Sequence, residues 1–344
     1  SELTFTADIQ REQADWDFQA DVGMSFGRTI VNTSESLGTD ETNRERFSLD
    51  YTFNAQAAWL DQGKISLYSQ TTDQTQITNV QTQTFGNGLQ SGPTALSAEF
   101  RDYQFDQSIG GISIEMFKSF TTDAEQTHQI AFGAELERID VQRPRYKTAT
   151  DLITQQTTSI FGADVFPNKT FPDTETQRTG IFINDRIELT DRATIVLGIR
   201  YDEYQLTPTA DELFNNSNAA QNLLANIDDG AVSSKLGVLY DLSDQVSVFA
   251  QYAEGFRSPD YESANLTFTN FAYYYSVAPN PELESEESAG FELGLRGNHG
   301  DLTWSIAAYE TDYEKFIETE LTGTTDQGIS IYQYVNKNDV TIKG

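Results

Sequence analysis

The residues with the most chemistry to offer lie between Val248 and Arg296, in VFAQYAEGFRSPDYESANLTFTNFAYYYSVAPNPELESEESAGFELGLR. Val248, Ala250 and Tyr252 alternate with polar or small neighbours, and so do Phe291, Leu293 and Leu295, so each flank reads as a strand with one apolar face. The stretch between them is a long loop. It holds Phe256, Arg257, Ser258 and Pro259, then Tyr273, Tyr274 and Tyr275, then Asn280, Pro281, Glu282 and Leu283. A loop of this length is functional or disordered, and its aromatic content argues for function. Arg257 can grip an oxyanion or hold the loop base by pairing with Glu292 or Asp260. The prolines fix chain direction where strand gives way to loop. Catalytic signatures are missing: there is no GxSxG, P-loop or HExxH. The chain offers binding, with no catalytic site and no metal site.

These elements need a scaffold, and period-two alternation supplies it from end to end. Leu3 to Ile9 gives a first strand and Trp16 to Phe26 a second, divided by a short turn at Gln13 to Asp15. Phe47 to Ala57 and a strand opening at Ile65 follow. Asp102 to Phe120 is expected to carry a bulge at Gly110 and Gly111. Then come His128 to Val141, Thr179 to Leu189, Ala193 to Leu206, Ala231 to Tyr240, Val246 to Tyr252, Ser288 to Gly297, Leu302 to Tyr313 and Tyr332 to Lys343. Most are longer than the soluble-sheet mode of about 5 to 6 residues. They match the roughly 9 to 11 that cross a bilayer at a tilt.

Connections alternate in length. Those at Ala58 to Gln62, Thr121 to Gln126, Thr190 to Arg192, Asp241 to Gln245 and Asn298 to Asp301 are short. Thr29 to Asn43, Thr71 to Glu99, Gln142 to Gln177, Thr207 to Gly230 and Glu314 to Ile331 read as long loops. Outer-membrane barrels combine short periplasmic turns with long extracellular loops. Trp16, Trp59 and Trp304 are expected beside short turns, as an inner aromatic girdle. The fold class is therefore all-β, an antiparallel transmembrane β-barrel, of which about 13 strands of a larger, plugged barrel of about 22 are present.

Composition agrees. The mean hydropathy of −0.50 excludes a bundle of apolar helices but not a barrel, whose strands alternate. A net charge of −31 argues against nucleic acid. The absence of cysteine removes disulfides and thiolate sites. Acidic pairs such as Asp228 and Asp229 lack metal-loop spacing and read as solvated charge.

The two boxes, FRSP at Phe256 and NPEL at Asn280, with Glu292 and Gly294 in the strand beyond, resemble those of TonB-dependent outer-membrane receptors of the haem and haemoglobin branch. That branch has Phe-Arg-Ala-Pro and Asn-Pro-Asn-Leu, so each box departs at one position. FPDTETQRTGIFINDRIEL from Phe171, LGIRYDEYQL from Leu197 and the closing YQYVNKNDVTIKG fit as well. The resemblance implies a bacterial outer-membrane transport receptor, set in lipid and lipopolysaccharide and driven by the TonB complex through a plug. Its cargo would be haem or another ferric chelate, taken in some members from a haem-carrying protein, with no intrinsic cofactor. It also implies that residues 1–344 are part of one barrel domain whose plug and last strands lie elsewhere.

Haem-branch receptors use a histidine in this loop; here the loop has none. The chain's two histidines, His128 and His299, fall at short turns and are assigned packing roles. Tyrosinate can replace histidine as an axial ligand, which makes Arg257, Tyr261, Tyr273, Tyr274 and Tyr275 the candidate ligand-binding residues. Phe256, Pro259, Asn280, Pro281 and Leu283 are their scaffold. Glu254, Asp260, Glu262, Glu282, Glu284, Glu286 and Glu287 make this loop acidic, against electrostatic capture of an anion by the loop alone. A receptor for ferric siderophores or another nutrient is the nearest alternative, and a surface all-β binding or adhesion module the more distant one.

Overall fold

The computed structural model describes residues 1–27, 29–86, 89–217, 223–271 and 273–344. The remaining positions, which fall in the expected loops, lie outside the described residues. In chain order the main strands are β1 (Glu2–Asp17), β2 (Ile30–Ala57), β3 (Leu60–Phe85), β4 (Ala95–Thr121), β5 (Thr127–Gln142), β6 (Asp173–Thr190), β7 (Ala193–Thr209), β8 (Ile227–Ser243) and β9 (Val246–Arg257). They continue with β10 (Phe268–Asn270), β11 (Tyr275–Val277), β12 (Glu286–His299), β13 (Leu302–Glu314), β14 (Phe316–Thr324), β15 (Ser330–Lys337) and β16 (Val340–Lys343). Among the described residues one 15-stranded antiparallel sheet forms a wall whose main path of twelve strands runs in the order β1 to β9, β12, β13, β16, with Gly23–Phe26, Arg145–Asp151 and Thr157–Thr158 pairing beside it. β10, β11, β15 and β14 form a separate four-stranded cap, in which β11 and β15 run parallel.

Register explains which face meets lipid. Phe5 lies beside Leu49, Leu49 beside Leu67, Leu67 beside Ile112 and Ile112 beside Leu136. Further round, Ile183 meets Ile199, Leu197 meets Leu236, Leu236 meets Tyr252 and Tyr252 meets Phe291. Most of these side chains are exposed and form a continuous apolar band on one face, as a wall in lipid requires. The opposite face carries Glu135, Glu137, Arg178, Arg200 and Asp202, at alternate positions of β5, β6 and β7. Ile199→Arg, near mid-height of the band, is expected to destabilise the barrel by about 2–4 kcal/mol. Lys235→Arg on the inner face should stay within about 0.5 kcal/mol. Denaturant unfolding in lipid vesicles checks the pair.

Five short turns stand where the sequence places them, all at one end of the wall. The sixth does not. β1 runs through Gln13–Asp15 without a break, in register with β2 from Glu2–Thr52 to Asp17–Leu37. The expected second strand is therefore divided: Trp16 and Asp17 end β1, and after a turn Gly23–Phe26 pairs separately with the start of β2. Trp16, opposite Gly38, sits toward the end away from the short turns; Trp59 and Trp304 keep their expected places. The change of phase between Ile9 and Trp16 was misleading because that segment is wet on both faces.

The same cause accounts for the expected loops at Thr29–Asn43 and Thr71–Glu99, which are mostly strand. β2, β3 and β4 are 28, 26 and 27 residues long. Beyond the apolar band their Thr- and Gln-rich halves alternate nothing, yet threonine suits a strand. Gly110 and Gly111 form no bulge, since pairing runs through them on both sides without a shift. Gly111 is instead covered by the Tyr68 ring, where a Cβ has no room. The expected final strand divides into β15, in the cap, and β16, which rejoins the wall against β13.

Candidate functional site

The two boxes meet at the base of the loop. Arg257 ends β9 and Glu286 opens β12, directly paired across the ladder. Arg257 Nη1 lies 3.2 Å from Glu286 Oε2, and Glu286 Oε1 accepts from the Ile317 amide at 2.6 Å. Glu286 is buried, whereas the Arg257 side chain is largely exposed. The expected partners of Arg257 are engaged elsewhere: Glu292 accepts from Gln251, and Asp260 caps the helix α2 (Tyr261–Asn265) by accepting from the Ser263 amide. Ser285 Oγ adds a 3.2 Å contact to Ser258 Oγ.

The first box is an anchor. Phe256 and Tyr261 pack against a buried cluster of Tyr204, Leu206, Ala225, Ile227 and Ala264. Pro259 is fully buried and its carbonyl accepts from the Tyr204 hydroxyl at 2.7 Å. Asn265 closes the knot by donating to the Ala225 carbonyl and accepting from its amide. Tyr261 packs against Phe171 with ring centroids 5.0 Å apart and planes tilted by 51°, and burial pushes its phenol above the usual range. The second box docks on the cap: Asn280 Nδ2 donates to the Tyr334 carbonyl, Leu283 is buried, and exposed Pro281 sits in the turn between them.

Of the tyrosines, three are brought together and one is not. Tyr273, Tyr274 and Tyr275 line a cavity of about 440 Å³ with Val277, Thr319 and Tyr332. Tyr273 is 79% and Tyr274 63% exposed, and Tyr274 holds a left-handed backbone at φ 55°. Tyr275 turns inward between Phe268 and Tyr332. The two histidines lie at the short-turn end: His128 stacks on Phe120 and bonds Asp185 at 2.7 Å, and His299 closes the β12–β13 turn.

A cluster on the inner face escaped the sequence reading. A cavity of about 620 Å³ is lined by Arg46, Tyr68, Glu137, Arg178, Arg200 and Arg257, among others. Arg200 pairs with Glu135 at 2.9 Å and Asp202 at 2.7 Å; Tyr68 donates to Glu137 at 2.8 Å; Arg46 stands over the Tyr68 ring. The wall beneath the loop adds Arg46, Arg178 and Arg200 to Arg257, and it lines the same cavity with Glu135, Glu137, Asp202 and Glu203. Their signal was present in Arg178/Gly180 and Arg200/Asp202, charged or minimal residues at alternate positions of strands whose other face is apolar.

The sequence pattern of the family described as TonB dependent receptor-like, beta-barrel, matches residues 2–344. The chain belongs to the TonB-dependent receptor family. Members of that family are outer-membrane β-barrel transport receptors of Gram-negative bacteria, not enzymes, which sets aside the adhesion-module alternative. The hemoglobin-haptoglobin utilization protein B of Neisseria meningitidis is 26% identical over 153 residues, 44% of this chain and 19% of that protein. The Serratia marcescens hemophore receptor HasR, solved with its hemophore and heme, superposes with a TM-score of 0.55 at 14% identity, over 97% of this chain and 59% of HasR. The copper transporter OprC gives 0.58 at 15% identity, over 98% and 49%. The matches thus span only part of the length of these receptors, and the two solved structures show the shared barrel architecture.

Proposed function

We propose that this TonB-dependent receptor imports an iron-bearing ligand, haem foremost, captured by its extracellular loops. The twelve-strand wall is part of one barrel domain; lipid tolerates no open sheet edge, so the wall works within a closed barrel. A plug segment inside that barrel receives energy from the TonB complex, and no covalent bond is made or broken. The observation that carries the reading is the loop tip: Tyr273 and Tyr274 stand exposed beside a cavity, on a loop whose base is locked by Glu286. A phenolate there can serve as axial ligand to ferric haem in place of the missing histidine. The naming of the Neisseria relative and of HasR for haemoglobin and heme supports this cargo. A haem-carrying protein is the corresponding external partner.

The test is a hemin titration of the complete receptor in detergent, followed by Soret absorbance. A saturable shift is expected in the wild type and should be lost when Tyr273, Tyr274 and Tyr275 are all changed to Phe. No shift at micromolar hemin would end the haem reading and leave a receptor for another ferric chelate or nutrient. The absence of histidine from the loop favours that second reading, and the copper cargo named for OprC, a barrel of the same architecture, supports it.

A further inference from the structure

Beyond the tyrosine tip, a second cavity of about 670 Å³ opens between the segment Phe161–Asp164 and the cap strand β10, lined by Arg145, Phe161, Asp164, Phe268 and Phe271. Its cation is unusually placed. Arg145 directs Nε and Nη2 to a single neutral acceptor, Asn168 Oδ1, at 3.0 and 2.7 Å. Its guanidinium stands over the rings of Phe166 at 5.6 Å and Tyr103 at 5.9 Å. Among the described residues no carboxylate lies within ion-pair distance of it. Neighbouring Lys147, by contrast, has Glu99 at 3.2 Å.

Burial lowers the pKa of Arg145, while Tyr103 and Asp164 act the other way. Burial likewise raises that of Asp164, against the pull of Arg145 and Lys147. A guanidinium stays charged through such a shift. A desolvated cation with no carboxylate in ion-pair contact is costly; Asp164 lines the same cavity and acts on Arg145 only from beyond that distance, and the other walls on the cavity are chiefly aromatic rings. Phe161 is steered by the Phe166 edge at 5.8 Å and Phe268 by Tyr275 at 5.7 Å, so two of the walls are held in place. Phe271, 46% exposed, is the outer wall.

We infer that this cavity is a capture site for a flat aromatic ligand bearing a carboxylate or phenolate at its edge, with Arg145 binding the anion and Phe161, Phe268 and Phe271 binding the ring. The inference rests on the proposed function only for the choice of first probe. A porphyrin carboxylate and an aromatic iron chelator share this chemistry, and the experiment separates them.

Equilibrium binding to the complete receptor in detergent is measured for hemin, hemin dimethyl ester and the ferric complex of 2,3-dihydroxybenzoate. Arg145→Gln should weaken hemin about 10- to 100-fold, the range expected for a lost charge-assisted hydrogen bond, and Arg145→Lys should restore part of it. The ester, already without its anions, should be insensitive to Arg145→Gln. Phe271→Ala should weaken hemin up to about tenfold; because Phe271 is a half-exposed wall, this variant guards against misfolding of Arg145→Gln. Hemin bound equally well by wild type, Arg145→Gln and Phe271→Ala overturns the cavity and leaves the haem cargo intact. Hemin refused by wild type while the dihydroxybenzoate complex binds, and binds less well to Arg145→Gln, overturns the cargo and upholds the cavity. If neither probe binds wild type, both fall.

Discussion

Lys169→Met is expected to loosen the segment that seats the first box, at a cost of about 3 kcal/mol, and to reverse the way that segment responds to acid. Lys169 is buried, with Nζ 2.5 Å from Asp173 Oδ1 and 2.7 Å from Asp211 Oδ2. It lies two residues before Phe171, the ring on which Tyr261 packs. Asp211 is also the N-cap of α1 (Glu212–Asn215), accepting from the Phe214 amide at 2.8 Å, and Phe214 is fully buried. Removing a buried cation while leaving its partners costs about 3–5 kcal/mol; the partial exposure of both carboxylates argues for the low end.

Burial by itself would lower the Lys169 pKa, but the hydrogen bonds it donates to Asp173 and Asp211 overcome it, and the net direction is upward. A raised lysine contributes fully below its unfolded value of about 10.4 and loses that contribution as pH rises through the higher folded value. For Asp211 burial acts upward, yet Lys169 and the Phe214 amide bring its carboxyl below the usual range. Its contribution is complete above an unfolded value of about 3.9 and disappears as pH falls through the lower folded one. The wild-type clasp therefore holds between those limits and weakens on acidification. In Lys169→Met two carboxylates face each other without a cation, so protonation relieves them and acidification should strengthen the segment. Amide hydrogen exchange of residues 160–217 between pH 2 and pH 8 reads both effects, the wild-type loss falling below about pH 4; parallel pH profiles for the two proteins would refute this account of the clasp.

Glu286→Ala is expected to unfold the loop base at a cost of about 2–4 kcal/mol, whereas Arg257→Ala should cost less than about 1 kcal/mol. The asymmetry follows from where each group sits. Glu286 is buried and satisfies the amide of Ile317, itself only 9% exposed, so its loss orphans a backbone donor. Arg257 holds its end of the pair from a largely exposed position, where ion pairs are weak. Glu286→Gln, which keeps an acceptor for Ile317, should recover most of the loss. Thermal unfolding in detergent ranks the three variants. If Arg257 contacts ligand, Arg257→Ala weakens binding with little change in stability. A large stability loss in Arg257→Ala would make it a structural residue instead.

What could be read from the residues depended on where each segment sits relative to the apolar band. Inside it, alternation is enforced by lipid on one face, and β5 to β9, β12 and β13 lie close to where Ile130, Ile183, Leu197, Val238 and Phe291 place them. Above it no such rule acts, so the upper halves of β2, β3 and β4 passed for loops and β1 seemed to break at Gln13. The boxes were legible as positions but not as partners. Arg257 finds Glu286 because β9 and β12 are adjacent in the wall, a pairing that spans a long loop. The inner arginines were hidden for a different reason: Arg46, Arg178 and Arg200 come from three strands, and only the curvature of the wall brings them to one cavity.

The length of β2, β3 and β4 sets what the receptor shows to the outside world. About 10 residues cross the bilayer, so each of these strands carries roughly 16 more, or about 50 Å of ladder, past the membrane surface. The rim at Thr72–Thr84, rich in threonine and glutamine, therefore stands well clear of the bilayer. Because its backbone hydrogen bonds lie within the sheet and do not depend on side-chain type, those residues can change with little cost to folding. Substitution in that rim is therefore expected to leave the apolar band, the tyrosine tip and the boxes behind it in place.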